Sequence, residues 1–303
     1  MATASTRGPK PPVRFGSLSF LGLNSAASEF ASARAVILPV PYDGTTTYRA
    51  GTREGPRAIL LASRELELYD EETQTEACHS GIVTLEELPV TVASPRDMVE
   101  RVREAGEFIL EAGKLPVLLG GEHLLSLGMI EAAARHFEDL SVLHLDAHAD
   151  LRSSYQDSPY SNACVMHQAL RHASLVQVGV RSMTREEHQL ITESKIPCFL
   201  AHQLWRDAHL WEQIVPRLSS HVYISIDLDV FDPALMPAVG TPEPGGLGWY
   251  EVIGLLRRVT QARRVVGFDV MELLPQGQSM ASEFLAARLV YKLLSYILLD
   301  SKR

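Results

Sequence analysis

Cysteine is scarce. Cys78, Cys164 and Cys198 are all the chain contains, an odd number with no C-x-x-C pair, which excludes a disulfide framework and suits a reducing cytoplasm. Positive charge is also in the minority: 28 Lys and Arg against 37 Asp and Glu leave a net charge of −9, the opposite of the basic face that a nucleic-acid binder needs. No nucleic-acid partner is expected. Long apolar runs are missing as well. Phe284 to Leu299 is the most apolar late stretch, but Arg288 and Lys292 interrupt it and it falls short of the roughly 20 apolar residues that cross a bilayer. It reads as a packed helix, and no membrane partner is expected. Residues 1–14 carry Arg7, Lys10 and Arg14 among Pro, Ser and Thr with no apolar h-region after them, so they read as a flexible tail and not as a secretory signal.

What remains is ordinary globular composition, 46% hydrophobic and 21% charged, in a chain with ample material for a core. Short apolar runs alternate with longer amphipathic stretches, the pattern of a parallel-sheet α/β protein. The runs are Ala35 to Val40, Leu115 to Leu119, Val142 to Leu145, Leu175 to Val180, Val222 to Ile226 and Val265 to Phe268, each predicting a buried strand. Met98, Val99, Val102, Ala105, Phe108, Ile109 and Ala112 recur at spacings of three and four, predicting a helix that Gly113 stops. Further helices are expected at about Leu124 to Phe137 and Trp249 to Ala262. No linker or repeat divides residues 15–303, which therefore read as one doubly wound α/β domain.

Sites in such sheets form at the carboxyl ends of the strands, and the polar clusters lie there. His123 follows Gly120, Gly121 and Glu122 after the second run; the paired glycines let the backbone turn tightly. Asp146, His148 and Asp150 alternate with Ala147 and Ala149 after the third run, and extended backbone would aim all three side chains to one side. Asp227 and Asp229 repeat the alternation after the fifth run, and Glu272 comes just after the sixth. A single Asp after a strand is most often a turn or capping residue. Two imidazoles and four carboxylates at strand ends in apolar surroundings, however, would be costly without a cation. Carboxylates suit Mg²⁺ or Mn²⁺ and imidazoles suit transition metals, so the mixture points to Mn²⁺, with Zn²⁺, Fe²⁺, Co²⁺ and Ni²⁺ also open. Six ligands exceed one tetrahedral zinc and suit two ions.

These motifs resemble a known family. Gly120 to His123, Asp146 to Asp150, Ser225 to Pro233 and Gly240 to Gly246 are similar, in that order, to the signatures of the ureohydrolases of the arginase/agmatinase family, and the resemblance runs from about Val40 to Leu293. It implies a three-layer arginase-like α/β fold around a central parallel β-sheet. It also implies two Mn²⁺ per chain, with His123, Asp146, Asp150 and Asp229 on one ion, His148 and Asp227 on the other, and aspartates bridging the two. Glu272 matches the family's guanidinium-orienting carboxylate, and Asp269 reads as a buttress that accepts hydrogen bonds behind the ligands. Asp232, before Pro233, reads as a turn residue. A homo-oligomer, trimer or hexamer, and a cytoplasmic location are further implications.

Within the family the agmatinases are more similar. Tyr42 to Pro56 resembles their opening, and Asp150-Leu151-Arg152 departs from the Asn, Thr and Ser contacts that arginases use for an amino-acid head group. The implied reaction is agmatine and water to putrescine and urea, a step of polyamine biosynthesis. One departure bears on it: Asn162 occupies the place of the agmatinases' proton-shuttle histidine, and an amide cannot cycle a proton near neutral pH. His167 and His172 lie nearby in the sequence. Three alternatives therefore stand beside an agmatinase: a metal-binding paralogue with a structural or regulatory role, a ureohydrolase of another guanidino compound, and a formimino-amino-acid hydrolase releasing formamide.

Overall fold

A computed structural model describes residues 18–23, 27–277 and 280–300; the tail expected over residues 1–14 lies outside them. Its centre is one eight-stranded, all-parallel sheet. The strands are β1 (Ala35–Val40), β2 (Ile82–Thr84), β3 (Leu115–Gly120), β4 (Leu140–Leu145), β5 (Ser174–Val178), β6 (Cys198–Phe199), β7 (His221–Asp227) and β8 (Arg264–Met271), in the order β2-β1-β3-β8-β7-β4-β5-β6. The six apolar runs are the six inner strands. The two edges, β2 and β6, have three residues and two, too few to show any periodicity.

The helices are α1 (Ala27–Ser32), α2 (Gly55–Ser63), α3 (Pro95–Glu111), α4 (Ser126–His136), α5 (Val165–Ala169), α6 (Arg185–Glu193), α7 (Ala201–Arg206), α8 (Leu210–Ile214), α9 (Trp249–Ala262) and α10 (Ala281–Asp300). Because side chains alternate across a strand, each inner strand feeds two cores. Ile37, Leu119, Leu143, Val178, Ile224 and Phe268 join α2, α9 and α10 on one face. Val36, Leu38, Leu118, Val142 and Tyr223 join α3 and α4 on the other. Three layers result, as the resemblance implies. No described helix is long and apolar enough to cross a membrane; α10 is packed, and its Lys292 is buried with Nζ 2.9 Å from Asp70.

Local chemistry sets the helix boundaries. Ser94 caps α3 by accepting the Asp97 N–H at 3.1 Å, Pro95 takes the first turn, and Gly113 follows the helix at φ +70°, each placed where helix ends favour it. Where α3 crosses α4, a β-carbon on Gly128 would lie 2.5 Å from the Val99 carbonyl oxygen and 2.7 Å from the Val102 Cβ.

The four central strands, β3, β8, β7 and β4, are consecutive neighbours, and each ends at one of the polar clusters. Register also aligns one polar row across β5, β4, β7 and β8: Gln177 pairs with His144, His144 with Ser225, and Ser225 with Asp269. Four polar side chains thus cross the sheet one level beneath the strand ends.

Two glycines separate packing from propensity. Gly128→Ala should destabilise the protein by about 1–3 kcal/mol through overpacking of backbone that cannot retreat. Gly254→Ala on α9, where a β-carbon meets nothing within 4 Å, should stabilise by about 0.5–1 kcal/mol. Urea unfolding of both variants checks the pair, and equal effects would contradict the described α3–α4 crossing.

Candidate metal centre and substrate cavity

Backbone close to contact carries the first ligand loop. After β3, Gly121 passes against the 42–43 segment so tightly that a β-carbon would fall 2.0 Å from the Tyr42 carbonyl oxygen; only glycine fits. Glu122 N–H donates to Tyr42 O at 2.9 Å, and a one-turn 3₁₀ helix, His123–Leu125, turns the His123 ring into the sheet's end. The Glu122 carboxylate leaves in the other direction, accepting from Thr45 N–H at 2.6 Å and Thr45 Oγ at 2.7 Å.

The structure brings all six sequence-predicted ligands together, with Glu272 beside them. His123 Nδ1 lies 3.0 Å from Asp146, 3.4 Å from Asp150 and 3.2 Å from Asp227. His148 Nδ1 lies 2.9 Å from Asp229 and 3.4 Å from Asp146. Asp146 therefore faces both imidazoles. This grouping corrects the partition implied by the resemblance: Asp227 sits with His123, and Asp229 with His148. The reason is local. Asp229 lies in a 3₁₀ turn, Leu228–Val230, where its Oδ1 accepts Ala147 N–H at 3.0 Å, which draws it to the β4 loop.

The expectation of extended backbone through Asp150 is also corrected. Asp150 has φ +52° and Glu272 φ +64°, left-handed conformations that cost a non-glycine residue about 1–3 kcal/mol and cluster at functional sites. The turn at Asp150 brings its carboxylate back to His123.

His123 supplies the test of a cation. Its Nε2 is 2.9 Å from Ser225 Oγ, and Ser225 Oγ donates to the Asp269 carboxylate at 3.0 Å, so the serine proton is committed and Nε2 must be the donor. Nδ1 is buried, without a hydrogen-bond partner and surrounded by carboxylate oxygens; burial acts downward on His123, but Asp146 and Asp227 push it well up, so without a metal Nδ1 holds a proton that a bound cation would replace. A divalent cation fits this donor set. Behind His123 and Ser225, Asp269 also accepts Tyr223 OH at 2.8 Å and Ile226 N–H at 3.2 Å.

Electrostatics without a cation are strained. Burial and then the neighbouring Asp146 charge push Asp150 well above the usual carboxylate range, and burial and Asp229 do the same to Asp227. Burial opposes ionisation of Asp146, but His144, His123 and His148 outweigh it and hold its carboxyl well below that range. Burial acts downward on His148, while Asp229 and Asp146 push it up to about 12. Glu272, raised by burial and by Asp227 and Glu122, accepts His123 N–H through Oε1 at 2.7 Å.

Above the cluster opens a cavity of about 290 Å³ lined by His123, His148, Asp150, Asp227 and Glu272 at its floor and by Thr46, Tyr48, Arg152, Tyr155, Asn162 and Glu187 among its walls. Asn162 Oδ1 accepts Ala163 N–H at 2.9 Å; a backbone N–H only donates, which fixes the amide orientation. The amide therefore offers N–H, not oxygen, to the cavity. His167 Nδ1 turns to Leu151 O at 3.2 Å and His172 to Glu131 at 3.7 Å; neither lines the cavity. Asp232 is a turn residue as expected, accepting Ala234 N–H at 3.0 Å and Gly246 N–H at 3.1 Å.

Sequence reasoning missed three contributors. His144 and Gln177 lie inside apolar strand runs, where a buried polar residue signals a partner. Arg181 follows β5 and donates to Asp229 O at 2.6 Å, Glu243 O at 2.9 Å and Val230 O at 3.3 Å, tying the Asp229 turn to the Gly240–Gly246 loop; an Arg directly after a strand run was its only signal.

Proton linkage gives a prediction. Glu122, raised by burial to about 7, binds a proton more tightly folded than unfolded, as do Asp150 and Asp227. Their contribution is full below the ordinary carboxylate range and is lost as pH rises through the folded values. Asp146 has the opposite sign, but its window lies at lower pH. Metal-free protein should therefore melt lower at about pH 8 than at about pH 5.5, and Mn²⁺ should raise the melting temperature more at about pH 8, where protons no longer compete for the ligands. Thermal melts with and without Mn²⁺ check this; an equal Mn²⁺ shift at both pH values contradicts it.

Comparison with known proteins agrees with the fold. The chain is 41% identical over 282 residues to an N(1)-aminopropylagmatine ureohydrolase of Synechocystis, covering 90% of this chain and 92% of that one. It is 37% identical to an agmatinase of Pyrococcus horikoshii, covering 87% and 92%. The crystal structure of agmatine ureohydrolase of Thermoplasma volcanium superposes with a TM-score of 0.83 at 30% identity, covering 92% and 96%. The family model described as the arginase family matches residues 33–295, and with these relatives it places the chain in the arginase family.

Proposed function

We propose that this protein is a metal-dependent ureohydrolase of a guanidino-alkylamine, agmatine or its N(1)-aminopropyl derivative, with His123, Asp146, His148, Asp150, Asp227 and Asp229 holding two Mn²⁺ ions. The observation that carries the reading is the convergence of these six side chains, four of which (His123, His148, Asp150 and Asp227) form the floor of one cavity together with Glu272, while the buried Nδ1 of His123 faces the carboxylates without a hydrogen-bond partner. Names of the similar proteins support the substrate class, and Arg152, where arginases hold an amino-acid head group, supports a substrate without one.

When bound, two divalent cations lower the pKa of water enough to supply hydroxide near neutral pH. The chain's own groups do the rest. Glu272 spends Oε1 on His123 N–H and keeps Oε2 for a guanidinium, a planar partner that a carboxylate orients through charge-assisted hydrogen bonds. The ligand carboxylates stay fixed because backbone N–H groups of Ala147 and Asp229 hold Asp229 and Asp227. Asn162 offers only N–H donors to the cavity and transfers no proton.

That last point favours a second reading, a paralogue that binds metal and guanidino ligands but turns over slowly or not at all. Its observation is Asn162 itself, with both flanking histidines turned away from the cavity.

Urea release from agmatine, N(1)-aminopropylagmatine, guanidinobutyrate and L-arginine with Mn²⁺ present tests the substrate. Agmatine or its aminopropyl derivative should exceed arginine, and a preference for arginine rejects the class. Glu272→Gln should lower kcat/KM by about tenfold to a hundredfold, the worth of a charged hydrogen bond, with metal content intact; equal activity removes Glu272 from the reading.

Asn162→His separates the two readings. A histidine titrates near neutrality, and general acid catalysis is worth roughly 10²–10⁴-fold, so even an imperfectly placed imidazole should raise turnover at least about tenfold. No gain in an already fast enzyme would mean that solvent or another group delivers the proton.

A further inference from the structure

His144 lies close enough to the cluster to be taken for a seventh ligand: its Nε2 is 2.9 Å from Asp146 Oδ2, and its ring packs 5.1 Å from that of His123. The structure assigns it a different part. We infer that Gln177 locks His144 in the Nε2–H tautomer, and that the pair are positioning residues, fixing Asp146 and the 146–150 loop for cation binding while keeping His144 from being a ligand. The inference rests on the reading above that Asp146 holds a cation.

The chain of deduction begins at a backbone carbonyl. Gln177 is fully buried, and one end of its amide is 2.7 Å from Ala149 O. A carbonyl oxygen only accepts, so that end is the NH₂ group, Nε2, and a flipped amide would set two oxygens in contact. The same Nε2 is 3.0 Å from His144 Nδ1. Its second hydrogen points there, so Nδ1 is the acceptor and the ring proton belongs to Nε2. The Nε2–H then donates to Asp146 Oδ2. A nitrogen that carries this proton has no lone pair for a metal.

Gln177 Oε1 marks what the arrangement costs. It is buried with no partner, an expense usually avoided, and it arises because both hydrogens of one NH₂ are drawn to the ligand loop and the histidine. Asp146 is held on every side as a result. Oδ2 receives the His144 proton, while Oδ1 accepts His148 N–H at 2.5 Å. Gln177 also pins Ala149, the residue between ligands His148 and Asp150. Register delivers these groups, since His144 and Gln177 are directly paired across β4 and β5.

The test is Mn²⁺ affinity, measured by calorimetry on metal-stripped protein, together with the tautomer of His144, read from ¹⁵N-histidine spectra assigned by His144→Gln. His144→Leu should weaken Mn²⁺ binding about 10–100-fold, as loss of a ligand's orienting partner does. His144→Gln, which keeps a donor at the same reach, should restore affinity to within about threefold of the unsubstituted protein. Gln177→Met, which keeps length but removes both donors, should weaken Mn²⁺ binding about tenfold and mix the His144 tautomers. A purely structural pair would lower apo-protein melting temperature in Gln177→Met and leave Mn²⁺ affinity unchanged, and that outcome overturns the inference, as does an Nδ1–H tautomer in the unsubstituted protein. If His144→Leu fails to fold, Gln177→Met and His144→Gln still decide. Should the unsubstituted protein bind no divalent ion, the reading of the cluster falls and this one with it; normal binding in all variants removes this one alone.

Discussion

Everything at the strand ends depends on one constraint: several carboxylates share a volume from which water is largely excluded. Asp146, Asp227 and Asp229 are almost wholly buried, with Asp150 and Glu272 next to them. Two like charges about 4 Å apart repel by about 4 kcal/mol at an effective dielectric near 20, and two imidazoles cannot neutralise five carboxylates. Some of the acids therefore hold protons, as the upward displacement of Asp150 and Asp227 records, or cations replace those protons. The second solution leaves the oxygens available for chemistry. Rigid anchoring follows from the same constraint, because repelling groups stay together only when the backbone around them cannot yield.

The sheet provides that rigidity. Four consecutive parallel strands end at the cluster, and the row Gln177, His144, Ser225 and Asp269 runs just below across β5, β4, β7 and β8. Each member is buried, and each directs a hydrogen bond toward a residue of the cluster or the residue behind it. Ser225, whose own proton goes to Asp269, takes the Nε2–H of His123, so that Nδ1 faces the carboxylates. Gln177 sets the tautomer of His144 so that its proton does. Two histidines 5.1 Å apart thus have opposite roles because of what stands behind each. Arg181 extends the same logic above the sheet, gathering the carbonyls of the Asp229 turn and of the Glu243 loop on one guanidinium.

Much of this was legible in the sequence, and what was not has identifiable causes. Apolar runs gave the six inner strands because strands buried on both faces leave continuous hydrophobic signal. β2 and β6 are too short for any such signal. The six ligand positions were legible because polarity at the end of an apolar run is costly unless used. How they group was not: Asp229 turns to His148 through a 3₁₀ turn, and Asp150 returns through a left-handed residue, neither of which alternation along the chain encodes. His144 and Gln177 were passed over because each is one polar letter within a hydrophobic word, and their meaning lies in a cross-strand pairing that a linear reading lacks.

Floor and wall of the cavity differ in how they are built, and this explains why family is plainer than substrate. The floor comes from strand ends whose geometry the sheet dictates, so its residues stand in fixed order with recognisable spacing. The wall comes from loops: Thr45 to Arg49, held through Thr45 by Glu122, and Ser161 to Ala163, whose Asn162 N–H reaches Thr45 Oγ at 3.2 Å. Asn162 satisfies its own turn, since its side-chain oxygen takes both the Ala163 N–H and the Ser161 hydroxyl, a habit of asparagine in turns. None of these Asn162 contacts involves the six clustered side chains, so the identity of the residue at this wall position is decoupled from what holds the cluster together. Floor and wall are thus held separately, one by the sheet and the other by loops tied to it through the Thr45–Glu122 hydrogen bonds and through backbone bonds such as Arg152 N–H to Ala163 O at 3.1 Å.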